Sequence, residues 1–309
     1  MIVVQLDDRS AQNPCPSRKH DPGRRPSSRA LERKQILVAP GAHDALGAKL
    51  VEAAGFDACY MTGNGAVASM LGVPDVGLAS FTEMLEHARR MADAIDLPLI
   101  CDADTGYGGS LNIRRTVRAF AAAGIGAIHI EDQVQPKRCG AMAGVAVVPL
   151  DEARGRIRAA LDARDLDILI IARTDAVPAE GLERAVERAN AYGEEGADLV
   201  YIEMLGSVSD LEQVGRGVGH PLLYDLLELD PAFVPTVAEL ERHGFRIVVN
   251  CLSATRLYAA AVSSMLRQYK ESGDLAPHLP LEMDLHAYER LLGLPELQSF
   301  GDLAAASRR

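Results

Sequence analysis

The stretch LICDADTGYGGSLNIRRTVRAFAAAGIGAIHI, residues 99–130, contains one complete strand–helix–strand unit. Residues 99–102 and 127–130 are short apolar runs of the kind that form buried strands. Residues 113–123 between them have helical spacing and stop at Gly124, a residue type that commonly ends a helix. Two such runs joined by a helix predict a parallel sheet covered by helices, which is the α/β fold class.

The same unit recurs along the chain from residue 35 onward. Eight short apolar or β-branched runs cover residues 36–39, 58–61, 99–102, 127–130, 168–172, 199–202, 222–224 and 247–250. Helical segments are expected at residues 45–51, 81–94, 113–123, 182–192, 237–243 and 254–269. This alternation is typical of a closed (β/α)8 TIM barrel, which needs about 250 residues. A doubly wound open sheet is the alternative, but the first strand–helix turn, APGAH at residues 39–43, lacks a G-x-G-x-x-G dinucleotide loop.

Composition separates two parts of the chain. Of 309 residues, 48% are hydrophobic and 24% are charged, which is a globular balance. Residues 1–34 instead hold 8 Lys/Arg and 4 Asp/Glu, with few large apolar side chains between residues 14 and 29. Such a segment cannot bury enough surface to offset its ordering entropy, so we predict a mobile basic N-terminal segment at 1–34. Residues 35–309 are then one barrel domain with a C-terminal helical extension at residues 281–303.

Charge and cysteine content exclude several function classes. The formal net charge of -11 argues against nucleic acid as a partner, and the absence of Trp argues against base-stacking platforms. No apolar run is long enough to span a membrane, and no secretory signal is evident. The five cysteines include no C-x-x-C pair, so neither a disulfide framework nor a zinc ribbon is indicated. These features predict a cytoplasmic protein acting on a small molecule.

Polar residues follow nearly every predicted strand, at the end where barrel enzymes carry their chemistry. In chain order these strand ends supply Thr62, Gly63 and Asn64, then Asp102 and Asp104, Glu131, Arg173, Glu203, Asp225 and Asn250. The carboxylates of Asp102, Asp104 and Glu131 are hard oxygen ligands of the kind that Mg2+ prefers, and Mn2+ is a possible substitute. The alternative is that they cap helices and pair with nearby Lys or Arg side chains.

Two further strand ends fit a carboxylic acid ligand. The TGNG sequence of residues 62–65 offers backbone N–H groups that an anion can approach closely, although a plain tight turn is the alternative. The guanidinium of Arg173 is a fork that suits a carboxylate or a developing oxyanion.

The loop PKRCG at residues 136–140 carries a thiol beside two cations. We expect Lys137 and Arg138 to lower the pKa of the Cys139 thiol, which would let it pass a proton near neutral pH. Gly140 and Gly144 favour a mobile loop that closes over the substrate and excludes water.

Six motifs in the same order resemble the isocitrate lyase/phosphoenolpyruvate mutase superfamily, over about residues 36–260. They are MTGNG (61–65), LGVPD (71–75), DADTGYG (102–108), HIEDQ (129–133), PKRCG (136–140) and IARTDA (171–176). The resemblance, which is to the branch of 2-methylisocitrate lyases and carboxyphosphonoenolpyruvate mutases, implies a barrel whose last helix is exchanged between subunits of a homotetramer. It also implies Mg2+-dependent chemistry through the enolate of a 2-oxo acid such as pyruvate.

The resemblance assigns roles to the motif residues. Asp102 is the expected direct metal ligand, and Asp75, Asp104 and Glu131 are expected to hold the metal through waters. Thr62 and Gly63 would bind the carboxylate of the 2-oxo acid, Arg173 would contact the reacting oxygens, and Cys139 would protonate the departing carbanion. The base is left open between Tyr60 and a metal-bound water. Lys137, Asn64, Glu203, Asp225 and Asn250 complete the candidate site.

Three departures from the lyase pattern narrow the expected substrate. Ala141 stands where lyases have His, and Asp225 and Leu227 stand where Asn and Thr are usual. An added anionic group and fewer polar ones argue against isocitrate and 2-methylisocitrate. We predict a carbon–carbon lyase that cleaves a substituted 2-hydroxy acid of the 2-alkylmalate type to a 2-oxo acid and a carboxylic acid. The alternatives are carboxyphosphonoenolpyruvate mutase-type chemistry, oxaloacetate hydrolysis or decarboxylation, and a non-catalytic barrel that binds a 2-oxo acid.

Overall fold

Eight parallel strands close into a barrel in chain order, and the last strand pairs with the first. This architecture comes from a computed structural model that describes residues 35–228 and 230–306. The strands are β1 (Leu37–Ala42), β2 (Cys59–Met61), β3 (Leu99–Asp102), β4 (Ala127–Glu131), β5 (Leu169–Thr174), β6 (Leu199–Ile202), β7 (Leu222–Asp225) and β8 (Phe245–Asn250). All eight predicted runs coincide with strands, and the predicted (β/α)8 barrel is confirmed. The predicted basic segment at 1–34 lies outside the described residues.

Helices connect the strands and form the outer layer. They are α1 (Ala45–Ala53), α2 (Gly63–Leu71), α3 (Phe81–Ala94), α4 (Ser110–Ala122), α5 (Leu150–Asp162), α6 (Ala176–Glu180), α7 (Leu182–Glu194), α8 (Val208–Gly217), α9 (Val237–Arg242), α10 (Ser253–Ser272), α11 (Leu285–Leu291) and α12 (Leu294–Ala306), with a 3-10 turn at Ala276–Leu281. The predicted C-terminal extension is helical. None of the described helices is both long and apolar enough to cross a membrane.

Residues 62–65 do not form an isolated turn, because α2 begins at Gly63. The Thr62 side chain caps this helix by accepting a hydrogen bond from the Gly65 backbone N–H at 3.3 Å. Two glycines in the first turn lower the helix propensity of this segment, so the local sequence does not predict the helix. The predicted helical segments also do not include α5, α6 and α8.

The strand periodicity explains how the barrel presents polar groups at one mouth. The barrel interior is filled by an apolar cluster that includes Ile100, Ile171, Leu223 and Val249, each buried. Because side chains alternate between the two faces of a strand, the residue two positions further along each strand also points inward. The parallel strands therefore deliver their inward C-terminal side chains to the same end of the barrel.

The C-terminal helices leave much apolar surface exposed. The helix α10 has no buried residue along its 20 positions. Its exposed apolar side chains include Leu257, Tyr258, Leu266 and Tyr269, with exposed fractions between 49% and 69%. Exposed apolar side chains of this number on one helix make it a candidate interaction surface.

Candidate active site

Four carboxylates are buried together at the C-terminal mouth of the barrel. Asp102 and Glu131 end β3 and β4, Asp104 lies two residues beyond β3, and Asp75 comes from the loop after α2. Asp104 adopts a left-handed backbone conformation with φ of 49°, and its N–H donates to Asp102 Oδ1 at 2.9 Å. Burial, together with the charges of Asp102 and Asp75, raises the pKa of Asp104 to about 6 despite the nearby ammonium of Lys137.

Lys137 places its ammonium among these acids and not beside the Cys139 thiol. Its Nζ lies 2.7 Å from Asp75 Oδ1 and also contacts Asp104 Oδ1. Burial disfavours the charged form of Lys137, but the surrounding carboxylates outweigh it and raise its pKa well above the ordinary value. The ammonium is therefore a permanent charge of the acid cluster, which we define as Asp75, Asp102, Asp104 and Glu131.

The acid cluster fits a divalent cation held mainly through water. Among the described residues, no three His, Cys, Asp or Glu side chains converge closely enough to ligate one ion directly. Mg2+ commonly takes one or two carboxylates directly and keeps several waters, so one direct ligand is sufficient. Within the described part of the chain, the buried Glu131 Oε1 meets no hydrogen-bond donor. The four carboxylates outnumber the cations near them, Lys137 and, 3.5 Å from Glu131, Arg173, so their ionised forms would leave an excess of buried negative charge that a cation would stabilise.

Arg173 lies beside the acid cluster, at the end of β5, where it is the register partner of Glu131 on β4. Its Nε and Nη2 donate to the two carboxylate oxygens of Asp175 at 3.0 and 2.8 Å. The same guanidinium is 3.5 Å from Glu131 Oε2 and 3.5 Å from Glu203 Oε1, and it lies over the Tyr201 ring. Arg173 therefore faces the centre of the mouth, but it is already paired with Asp175.

A second group of acids occupies the side of the mouth formed by β6 and β7. The Tyr201 hydroxyl donates to Glu203 Oε2 and to Asp225 Oδ2, the latter at 3.3 Å. The Cys251 backbone N–H donates to Asp225 Oδ1 at 3.2 Å. Burial raises the pKa of Glu203 to about 7 and that of Asp225 to about 6. Because Glu203 and Asp225 are partly protonated near neutral pH, this corner carries less negative charge than two fully ionised carboxylates would carry.

Tyr60 and His129 form the floor of the site. The Tyr60 hydroxyl is 2.8 Å from His129 Nε2, and His129 Nδ1 is 3.6 Å from Asp102 Oδ1. Burial lowers the pKa of His129 to about 4, so the imidazole is neutral at physiological pH. Burial and the charge of Asp102 raise the pKa of Tyr60 well above its ordinary value, so its hydroxyl is protonated in the free protein.

The loop that carries Cys139 is seated over the mouth. The Cys139 N–H donates to the Asp75 carbonyl at 3.0 Å. A Cβ added to Gly140 would lie 2.6 Å from Glu203 Cγ and 2.7 Å from Arg173 Nη2, so the backbone itself packs on the site. Burial raises the pKa of the Cys139 thiol. The predicted lowering was wrong, because Lys137 turns to the acid cluster.

The second cation expected beside the thiol is also directed elsewhere. Arg138 donates from Nη1 to the Ala143 carbonyl at 3.3 Å, and its backbone N–H donates to Gln133 Oε1 at 2.9 Å. Gln133 Nε2 in turn donates to the Arg138 carbonyl at 2.8 Å. These bonds fix the loop conformation and leave the Cys139 thiol as a protonated group at neutral pH.

The structure separates the remaining candidates. Gly63 at the start of α2 abuts the acid cluster, since an added Cβ would lie 2.2 Å from Asp102 Oδ2. Asn64 is half-buried in the first turn of the same helix. Asn250 instead donates its amide hydrogens to the Leu226 carbonyl at 2.9 Å and to Glu228 Oε1 at 2.7 Å. These contacts give Asn250 a role in joining β8 to the following loop and do not support the predicted substrate contact.

Four residues of the mouth are missing from the candidate site residues: His129, Asp175, Tyr201 and Cys251. Two of them, His129 and Asp175, lie within the motifs at residues 129–133 and 171–176. Each lies two positions along the chain from an inward-facing strand residue. Glu131 and Glu203 are predicted from their positions at strand ends, and the alternation of side chains along a strand would also identify His129 and Tyr201, two positions earlier. Cys251 is the inward neighbour of Asn250 by the same rule.

Comparison with known proteins agrees with this geometry. The sequence model of the phosphoenolpyruvate phosphomutase family matches residues 29–272. The chain belongs to this family. It is 38% identical to 2,3-dimethylmalate lyase of Eubacterium barkeri over 269 residues, covering 87% of this chain and 93% of that protein. It is 39% identical to 2-methylisocitrate lyase of Aeropyrum pernix over 243 residues, covering 79% of this chain and 78% of that protein.

Solved structures of the superfamily have the same fold. A crystal structure of 2,3-dimethylmalate lyase, described as a PEP mutase/isocitrate lyase superfamily member, aligns with a TM-score of 0.84 at 36% identity, covering 90% of this chain and 93% of that one. The structure of oxaloacetate acetylhydrolase in complex with 3,3-difluorooxalacetate aligns with a TM-score of 0.83 at 33% identity, covering 89% of this chain and 94% of that one. The structure of phosphonopyruvate hydrolase in complex with oxalate and Mg2+ aligns with a TM-score of 0.79 at 30% identity, covering 87% of this chain and 94% of that one. The resemblance to the superfamily and the expected class, a carbon–carbon lyase of this superfamily, are both confirmed.

Proposed function

We propose that the protein is a Mg2+-dependent lyase that cleaves a 2-hydroxy acid of the 2-alkylmalate type to a 2-oxo acid, such as pyruvate, and a carboxylic acid. The observation that carries the proposal is the meeting of three parts at one mouth: the acid cluster, Arg173 and the seated Cys139 loop. The similarity to 2,3-dimethylmalate lyase over nearly the whole chain supports this substrate class.

The acid cluster is the proposed metal site. Asp102 is the proposed direct ligand, with Asp75, Asp104 and Glu131 acting through waters, and Mn2+ is a proposed substitute. When bound, the ion supplies positive charge that stabilises the oxygens of the 2-oxo acid as negative charge develops on them. The complex of a related hydrolase with oxalate and Mg2+ supports a divalent ion in this superfamily.

The chain's own groups supply orientation and proton transfer. The N-terminus of α2, at Thr62 and Gly63, is proposed to bind the carboxylate of the 2-oxo acid, because free N–H groups at a helix start bind anions. Arg173 stabilises charge on the reacting oxygens. Tyr60 is the proposed base for the 2-hydroxyl group and would act as a relay, because its protonated hydroxyl can accept that proton only as it passes its own to His129 Nε2, 2.8 Å away. The carboxylate of Asp102, 3.6 Å from His129 Nδ1, would stabilise the imidazolium that forms.

The bond changes balance with one proton removed and one returned. The 2-hydroxyl loses its proton, its oxygen becomes the new carbonyl, and the electron pair of the adjacent C–C bond stays on the departing carbon. Cys139 then donates a proton to that carbon. A thiol that burial keeps protonated at neutral pH suits this donor role.

The β6–β7 corner is proposed to receive the substituent of the substrate. Asp225, whose pKa is raised only to about 6, is mostly ionised at neutral pH and would repel an additional carboxylate, which supports an alkyl substituent over a tricarboxylate. Oxaloacetate hydrolysis is the second candidate, favoured by the similarity to oxaloacetate acetylhydrolase.

An assay of pyruvate release separates these activities. We expect turnover with 2,3-dimethylmalate and other 2-alkylmalates, and little with 2-methylisocitrate, oxaloacetate or phosphonopyruvate. Cys139→Ser is expected to reduce lyase turnover strongly, whereas Cys59→Ser, which alters a thiol outside the barrel mouth, serves as the control. Chelation is expected to abolish turnover, and Mg2+ or Mn2+ to restore it. Hydrolysis of oxaloacetate without any cleavage of alkylmalates would refute the lyase assignment.

We also propose that α10–α12 pack against a second copy of the chain, with the last helix exchanged within a homotetramer. The exposed apolar side chains of α10 support this packing. Leu266→Glu should lower the mass measured by light scattering, whereas Leu166→Glu, on another exposed surface, should not. An unchanged mass for Leu266→Glu would contradict the packing. The free thiols of the described cysteines support the proposed cytoplasmic location.

A further inference from the structure

Asp132 connects the barrel mouth to the outer helix layer. It follows the last residue of β4, and its side chain is 3% exposed and directed toward α7. Its Oδ1 accepts the Asp175 backbone N–H at 3.0 Å, and its Oδ2 accepts the Thr174 hydroxyl at 2.7 Å. From α7, the Tyr192 hydroxyl donates to Oδ2 at 2.6 Å and Arg188 Nη1 donates to it at 3.3 Å. One carboxylate therefore joins the end of β5 to α7.

The residue that Asp132 holds by its backbone is the residue that holds Arg173. Asp175 precedes α6, but its side chain does not cap that helix. Its two carboxylate oxygens instead accept from Arg173 Nε at 3.0 Å and Nη2 at 2.8 Å. The Asp175 backbone is thus fixed by Asp132 and its side chain fixes the guanidinium, so a displacement of Asp132 is passed on to Arg173.

The far end of α6 is fixed from the same place on α7. Glu180 is the last residue of this five-residue helix, and its two carboxylate oxygens accept from Arg188 Nε at 2.8 Å and Nη2 at 2.9 Å. The same Nη2 donates to the Val148 carbonyl at 3.0 Å. Because α6 is held at its start through Asp132 and at its end through Arg188, we expect residues 174–180 to move as one unit with α7.

We propose that Asp132 is a positioning residue for Arg173, acting through Asp175, and that Arg188 and Tyr192 of α7 fix its orientation. The proposal rests on the proposed function, in which Arg173 stabilises charge on the reacting oxygens. A charged donor gives that stabilisation when it is held in place before the reaction. A misplacement of about 1 Å caused by a distant change can cost about 10²-fold in rate.

Tyr192→Phe tests the proposal because it removes one donor to Asp132 and changes no charge. We expect kcat for pyruvate release from a 2-alkylmalate to fall about tenfold, which corresponds to one hydrogen bond to a charged group, and KM to change less. Tyr224→Phe is the matched control, since it removes a hydroxyl from the same apolar cluster, where the Tyr224 ring packs on Phe245. Its kcat should stay at the wild-type value. Asp132→Asn would place an amide donor opposite the three donors at Oδ2 and impair folding, so Tyr192→Phe is the primary variant.

A double-mutant cycle separates positioning from a general loss of stability. Asp175→Asn weakens the hold on Arg173 directly, so the Tyr192→Phe/Asp175→Asn double variant should lose little more kcat than Asp175→Asn alone. Two losses that simply multiply would overturn the proposal, because they would show that Tyr192 does not act through Asp175.

Exchange of the Arg173 Nε proton with solvent, followed by 15N NMR, tests the positioning without any turnover. This proton is donated to Asp175, and its signal is identified by its absence from Arg173→Lys. Tyr192→Phe should speed the exchange about tenfold, and Tyr224→Phe should leave it unchanged. Equal exchange rates in the two variants would overturn the positioning role, whether or not the protein cleaves alkylmalates. Faster exchange in Tyr192→Phe in a protein whose wild type cleaves no alkylmalate would refute the proposed function and leave the positioning of Arg173 standing.

Discussion

Replacing Gly140 by alanine tests whether the seated loop is the active form. A Cβ at this position would lie 2.6 Å from Glu203 Cγ, 2.7 Å from Arg173 Nη2 and 2.7 Å from Asp175 Oδ1. None of these neighbours moves easily, because Arg173 is held by both oxygens of Asp175. Overpacking of this kind costs about 1–3 kcal/mol. We expect the loop to move away from the clash, so that the free-energy cost falls on closure of the loop over the mouth and not on the stability of the barrel.

The expected effect follows from that cost. A penalty of about 1–3 kcal/mol on seating corresponds to a roughly 5- to 150-fold loss, which should appear in kcat/KM for pyruvate release from a 2-alkylmalate. The Tm should change little. Gly109→Ala is the matched control, because no heavy atom lies within 4 Å of its added Cβ and its φ is -75°. Wild-type kcat/KM for Gly140→Ala would refute the view that catalysis requires the seated loop.

Three further predictions concern stability, pH and the base. Arg188→Met should lower the free energy of unfolding in urea by about 3–5 kcal/mol, because it leaves the buried Asp132 without its cation, whereas Arg184→Met, on an exposed pair, should have no measurable effect. Because the pKa of Glu203 is raised to about 7 in the fold, the folded state retains a proton that the unfolded state releases, so stability should fall as pH rises from 4.5 to 7. Glu203→Gln should flatten that decline in Tm measured with chelator present, and an equally steep decline would contradict the assignment. Tyr60→Phe should reduce kcat by about 10²- to 10⁴-fold in the pyruvate assay, and a fully active variant would exclude Tyr60 as the base.

The acids and Arg173 were predictable because strand periodicity fixes them. Four of these acids come at the end of an apolar run: Asp102, Glu131, Glu203 and Asp225. Because the eight strands are parallel, their C-terminal ends lie at the same mouth of the barrel. The family motifs then added Asp75, which no strand end reveals. A position that depends on strand alternation is a local property of the sequence, so it can be deduced before the fold is known.

The loop residues were harder to place because their contacts are not local. Adjacency in sequence suggested that Lys137 would act on the Cys139 thiol, but the stronger field of Asp75 and Asp104 draws its ammonium away. Consecutive residues of an extended loop point in different directions, so neighbours in the sequence need not share an environment. The adjacent residues Asn250 and Cys251 at the end of β8 also have different environments. The Asn250 amide donates to the Leu226 carbonyl, whereas the Cys251 backbone N–H donates to Asp225.

The two buried cations at the mouth are both engaged before any ligand arrives. Lys137 is paired with Asp75 and Asp104, and Arg173 is paired with Asp175. A dianionic substrate entering this mouth would meet more uncompensated carboxylates than free cations, and burial makes that repulsion costly. We therefore propose that an anion is bound here by backbone N–H groups at the start of α2 and by a divalent cation held by the acid cluster. Under the proposed function, such a mouth would bind a dianionic substrate weakly until a cation is present, so electrostatics alone would tie substrate binding to metal binding.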